Sequence, residues 1–139
     1  MIIKEKVLFV CTGNACRSQI AEGILRYLAD DKFEVYSAGT TPSQVHPLAI
    51  KVMDEWGIDI SHHTSDHVED FLDKEIDIII TLCNSAQELC PVFPGKVEQL
   101  HWDVPDPFPG WVEDSHFLPK FREVRNIIRG RIDTFLQNH

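Results

Sequence analysis

The chain has 139 residues, 43% of them hydrophobic, which suits one domain spanning 1–139 with a buried core. Asp and Glu number 22 against 13 Lys and Arg, a formal charge of -9 at pH 7. That excess argues against nonspecific nucleic-acid binding and anionic membrane surfaces, and it requires any anion site to be built locally.

The opening MIIKEKVLFV is a poor signal peptide, because Lys4, Glu5 and Lys6 interrupt its apolar residues. No stretch approaches the ~20 apolar residues of a membrane span. A cytoplasmic location and a monomer are expected. KVLFVC, 6–11, reads as a buried parallel strand. Ile20, Ala21, Ile24, Leu25 and Leu28 then recur at helical spacing from Ser18 to about Asp30. FEVYSAG, 33–39, reads as a second strand. Pro47 opens a second helix that turns Ala49, Val52, Met53 and Trp56 inward and stops before Gly57. DIIITLC, 77–83, is the most strand-like run, and VEQLHW, 97–102, is a weaker fourth strand. Phe117, Phe121, Val124, Ile128 and Phe135 make the stripe of a last helix from Ser115 to about Gln137. The alternation implies α/β with a parallel open sheet flanked by helices, whose ligands bind beyond the carboxyl ends of the strands.

The stretch CTGNACRSQ, 11–19, sits at such an end. A loop running from a strand into a helix aims backbone N–H groups at one point, and the helix N-terminus adds partial positive charge. Gly13 lets the loop curl, and Asn14 tolerates unusual backbone angles. Arg17 can grip an oxyanion through two parallel hydrogen bonds. Thr12, Gly13, Asn14, Ala15, Cys16 and Arg17 together make a cradle for a tetrahedral oxyanion. Cys11 lies at its base, where the same donors and the Ser18 hydroxyl favour a thiolate. A buried structural cysteine beside a surface arginine is the bland alternative; the strand-loop-helix context argues against it. Cys16 reads as a small residue lending its N–H.

The four cysteines, 11, 16, 83 and 90, form no Cys-x-x-Cys pair, and in a reducing compartment they are more often reactive than structural. Cys83 and Cys90 bracket NSAQEL. They could be small core residues, a metal pair with His62, His63 or His67, or partners in a thiol relay. No ligand spacing supports the metal, and the histidines read as part of a solvated loop. Asp106, in PDPF, could be a turn residue or an acid that reaches the cradle from strand four, with Asp103 as its backup.

These residues carry a resemblance. CTGNACRSQ followed by AEG, VYSAG, ISHHTSD, TLC with a cysteine seven residues later, HW and DP resemble, in that order, the low-molecular-weight protein tyrosine phosphatase fold. Within it the chain is similar to the thioredoxin-coupled arsenate reductases. The resemblance implies a four-stranded sheet and reduction of arsenate, with phosphate or sulfate as competing oxyanions. It further implies a Cys11 adduct resolved by Cys83 and then Cys90, with thioredoxin as reductant and Asp106 as the acid. No cofactor is required. Asn14, Glu22, Ser37 and Asp66 match positions that hold potassium in some relatives; an ion and a bracing hydrogen-bond network are equally open readings. Phe108 follows Asp-Pro where the phosphatases carry an aromatic residue and many reductases a small one. A phosphatase acting through phosphocysteine is therefore the alternative enzyme, and a redox or oxyanion sensor is a third class.

Overall fold

The structure, a computed structural model, describes residues 3–139. Met1 and Ile2, which begin the segment read above as a poor signal peptide, lie outside it. Four parallel strands form one sheet: β1 (Glu5–Cys11), β2 (Phe33–Gly39), β3 (Ile78–Thr81) and β4 (Glu98–His101). Their order is β2-β1-β3-β4. Val7, Leu8, Phe9 and Val10 are all fully buried, so β1 is covered on both faces, as its unbroken apolar run requires. β4 lies at the edge and is more exposed, which explains its weaker sequence signal.

The helices are α1 (Arg17–Ala29), α2 (Pro47–Asp54), α3 (Asn84–Leu89) and α4 (Leu118–Asn138). α1, α2 and α4 pack on one another. α2 starts with Pro47 at its first position, and His46 Nδ1 accepts the Leu48 N–H at 3.0 Å as its cap. Beyond α2, Gly57 takes φ +74, and Ile58 N–H reaches back to Met53 O at 3.1 Å. Trp56 lies past the helix end, beneath the Arg125 guanidinium, rather than on the buried stripe. Glu55 bonds both Arg122 and Arg125, tying α2 to α4. The Arg122 hydrogen bonds, with help from Arg125, hold its carboxyl down at about 2. Residues 115–117 form a separate 3-10 turn in which Phe117 is partly exposed, so the apolar stripe of α4 begins at Phe121. Among the described residues no helix is long and apolar enough to cross a membrane.

Strand order reverses around β1, which has β2 on one side and β3 on the other. The carboxyl ends of β1 and β3 therefore bound the crevice at the topological switch point. Beside it runs Gly39, whose backbone passes so close that a Cβ there would stand 2.6 Å from Thr12 O and 2.9 Å from Asn14 N. Both obstacles are backbone, so neither can swing aside. Gly39→Ala should destabilise the fold by about 1–3 kcal/mol, the usual range for overpacking. A lowered denaturant midpoint at unchanged slope is the expected result; an unchanged midpoint would show that the 11–17 loop yields freely.

Candidate active site

The segment 12–16 turns its carbonyls away from the crevice. Cys11, Thr12, Gly13 and Ala15 O accept the N–H groups of Thr40, Thr41, Ser43 and His46 at 2.8–3.2 Å. Among the described residues, the N–H groups of 12–16 donate to no protein acceptor in the loop. They are left free for an oxyanion, with the first turn of α1 behind them. The left-handed residue is Asn14, at φ +48, and not Gly13. Asn14 tolerates this because its side chain is fully bonded. Oδ1 accepts Asp66 N–H at 2.9 Å, while Nδ2 donates to Ser18 Oγ at 2.8 Å and to Ser37 Oγ at 3.0 Å.

That arrangement fixes proton directions. Ser18 Oγ accepts from Asn14, so its own hydrogen is available to Cys11 Sγ, 2.9 Å away. Ser37 likewise accepts from Asn14 and donates to Glu22. The chain of bonds runs from the reactive sulfur to a buried carboxylate. Burial pushes the Glu22 carboxyl up, opposed by the Ser37 bond and by Arg26, which lies 2.8 Å away.

Three supporting residues escaped the sequence reading. Gln19, fully buried, donates to Asn14 O at 3.0 Å and to Thr64 O at 2.9 Å. His63 Nδ1 lies 2.9 Å from Gln19 Oε1, and Arg26 closes the circuit. The His63 side chain is only 4% exposed, which corrects its placement in a solvated loop. Burial, then the Arg26 charge, lowers its pKa to about 4, so it stays neutral at pH 7. With Gln19 Nε2 engaged as a donor, His63 must give its Nδ1–H to Gln19 Oε1. Gln19 falls on α1 opposite the apolar stripe, at a position that periodicity assigns to solvent, so its buried amide has no one-dimensional signature.

Asn14, Glu22, Ser37 and Asp66 do come together, in one hydrogen-bonded network. Asn14 offers its amide hydrogens to Ser37, and its oxygen is taken by Asp66 N–H. Asp66 accepts from Thr64 Oγ1 at 2.8 Å. Arg26 supplies positive charge against Glu22.

The crevice has a volume of about 260 Å³ and is lined by the cradle, Ser43, Asp106, Phe108 and Trp111. Arg17 is nearly buried. Its NH1 donates to Val104 O at 3.1 Å, and its NH2 stands 3.9 Å from Asp106 Oδ1. Asp106 also accepts the Phe108 N–H at 2.9 Å, so the turn and the reach toward the cradle occur together. Asp103 is exposed and lines no part of the crevice.

Cys83 packs against the loop, its Sγ 3.4 Å from Thr12 Oγ1. It caps α3, accepting Ala86 N–H at 3.4 Å, and Cys90 ends the same helix. All four thiols are free. Burial raises Cys90, and it holds Cys16 far above the ordinary thiol range, with the Cys11 and Asp106 charges adding to the shift. Cys16 therefore remains a protonated wall of the loop. Among the described residues no cluster of His, Cys, Asp or Glu could hold a metal, so Cys83 and Cys90 are not joined to the histidines in that way.

A parallel four-stranded sheet whose first strand ends in a buried cysteine under a ring of free N–H groups defines a phosphatase-like protein built around a tetrahedral oxyanion cradle. Residues 6–138 match the low molecular weight phosphotyrosine protein phosphatase family, and the chain belongs to it. It is similar to arsenate reductase 1 of Staphylococcus epidermidis, 46% identical over 133 residues, covering 95% of this chain and 96% of the relative. Its fold is similar to a solved arsenate reductase in the oxidized state, with TM-score 0.82 and 36% identity over 96% of this chain and 98% of the other. A thioredoxin-dependent arsenate reductase of Corynebacterium glutamicum gives TM-score 0.71 at 32% identity, covering 98% of this chain and 64% of that one. The protein is an enzyme of the arsenate reductase or low-molecular-weight phosphatase group.

Proposed function

We propose that the enzyme reduces arsenate to arsenite through a relay of Cys11, Cys83 and Cys90, as a step in arsenic detoxification. The observation that carries this reading is the second thiol: Cys83 Sγ packs against the hydroxyl of Thr12, the residue next to the nucleophile. A phosphatase needs no thiol there, because water resolves its intermediate.

The Cys11 thiolate attacks arsenic while the loop N–H groups and Arg17 hold the oxygens. Asp106, at the rim, gives a proton to the departing oxygen, which leaves as water. Cys83 then attacks the Cys11 sulfur. The arsenic–sulfur bonding pair passes to arsenic, arsenite departs, and a Cys11–Cys83 disulfide remains. Cys90 attacks Cys83, releasing Cys11 and leaving Cys83–Cys90 for an external dithiol. Thioredoxin is the reductant favoured by the relative from Corynebacterium. Leu89 and Val92, exposed beside Cys90, offer an apolar surface at that disulfide. The three thiols carry the electrons, and no step passes through a cofactor or ion. Phosphate and sulfate should compete for the cradle.

Arsenate-dependent NADPH oxidation with thioredoxin and its reductase, run beside aryl phosphate hydrolysis, tests the reading. Fast hydrolysis without arsenate-dependent oxidation would reverse it in favour of the phosphatase. That second reading has one observation in its favour, the aromatic rim of Phe108 and Trp111.

The relay demands a change of shape. Seven residues of helix at 1.5 Å each separate Cys83 from Cys90 by about 10.5 Å along the axis, whereas a disulfide needs Cα atoms roughly 4.4–6.8 Å apart. α3 must therefore unwind when the two pair, which also takes Cys90 out of the half-buried setting that raises it. Amide protection across 84–90 should fall in the oxidised form while 78–81 stays protected. Equal protection in both redox states would refute the unwinding.

A further inference from the structure

The crevice is larger than arsenate requires. A water's share of liquid volume is ~30 Å³, so a five-atom oxyanion displaces on the order of three such shares, well short of the roughly 260 Å³ present. The remaining space is apolar at its mouth. Phe108 and Trp111 meet edge to face there, their centroids 5.1 Å apart at 80°. They are 41% and 46% exposed, so each keeps a large apolar face open to solvent in the crevice that holds the anion cradle.

This rim is held from beneath. His46 is fully buried and stacks on Trp111 at 5.3 Å and 17°. Its Nδ1 accepts Leu48 N–H, so Nε2 must carry the hydrogen, which it gives to Gly110 O at 2.8 Å. Through its own N–H, His46 also bonds Ala15 O at 3.0 Å. One residue thus fixes the aromatic rim relative to the cradle. A ring entering the mouth would gain edge-to-face contact and lose its water, with its orientation already set.

We propose that the enzyme also reduces arylarsonates, aromatic arsenic(V) acids with a single ring, to arylarsonous acids. The inference rests on the arsenate reading and names a second substrate class for the same thiols. Cys11 attacks arsenic, two oxygens remain in the loop, and the third leaves as water beside Asp106, which shares the rim with the ring. Cys83 attacks the Cys11 sulfur, and the arsenic–sulfur pair returns to arsenic as arsenic(V) becomes arsenic(III). The carbon–arsenic bond is untouched. One arylarsonate and two thiols give one arylarsonous acid, one disulfide and one water, with no further reductant. Cys83 is not among the residues lining the crevice, so the ring does not stand in its path.

Trivalent arylarsenicals bind vicinal dithiols, so the test is a single turnover without thioredoxin. Fully reduced enzyme is mixed with phenylarsonate or with inorganic arsenate; the trivalent product is measured by chromatography and the protein disulfide by mass. About one equivalent of phenylarsonous acid and of disulfide is expected. Phe108→Ala and Trp111→Ala, both at exposed positions that a folded protein tolerates, should each lower the phenylarsonate-to-arsenate rate ratio tenfold or more. Oxidation by arsenate but not by phenylarsonate would overturn this inference and leave arsenate reduction standing. Oxidation by neither would overturn both. An unchanged ratio in both variants would overturn recognition of the ring by this rim.

Discussion

Cys11→Ser removes arsenite formation entirely, in steady state and in a single turnover. Every step passes through the Cys11 sulfur, which forms the bond to arsenic and then accepts attack by Cys83. A serine oxygen in the same place can neither ionise at neutral pH nor be resolved by a thiol into a disulfide. The loop tolerates the change, since Ser18 and the free N–H groups can bond the new hydroxyl, so phosphate should still bind and raise the melting temperature. Retained phosphate binding separates loss of the nucleophile from loss of the fold. Arsenite release that persisted in Cys11→Ser would sink the assignment of the nucleophile.

Cys90→Ser behaves differently, releasing one arsenite per enzyme and then stopping as Cys11–Cys83. Cys83→Ser releases none by this route. The contrast follows from position. Cys83 sits against Thr12 at the loop, while Cys90 lies at the far end of α3 and can act only after that helix opens. Expected turnover therefore falls to a stoichiometric burst in one variant and to nothing in the other. Any aryl phosphate hydrolysis survives both changes, because water replaces the second thiol. Arsenite production by Cys90→Ser at the wild-type rate with thioredoxin would falsify the three-thiol order.

Much of this site could be read in one dimension because its chemistry is local. Cys11 through Ser18 fall within one strand-loop-helix passage, where a short apolar run, a turn and an amphipathic stripe each leave their own period in the sequence. NSAQEL is rich in the helix formers Ala, Gln, Glu and Leu, and it is α3. Asp106 was harder. An Asp-Pro turn and an acid facing the cradle look identical as sequence, and the structure has both: Asp106 caps its own turn through the Phe108 N–H and still stands 3.9 Å from Arg17.

What the sequence by itself determined is the set of elements and the identity of the reactive groups, because backbone hydrogen bonding and apolar periodicity act over a few residues. Only tertiary structure decided how those groups are supported. Gly13 and Asn14 both looked able to bend the loop; Asn14 takes the left-handed backbone, because nearby Ser18 and the distant Ser37 and Asp66 satisfy its side chain. His63 looked solvated; Gln19 and Arg26 bury it neutral. The same packing gathers Asn14, Glu22, Ser37 and Asp66 into one network and places Arg26 against Glu22. Such roles depend on which long-range neighbour reaches a polar atom first, and a buried donor or acceptor commits to that partner because an unmet one would cost about 1–3 kcal/mol.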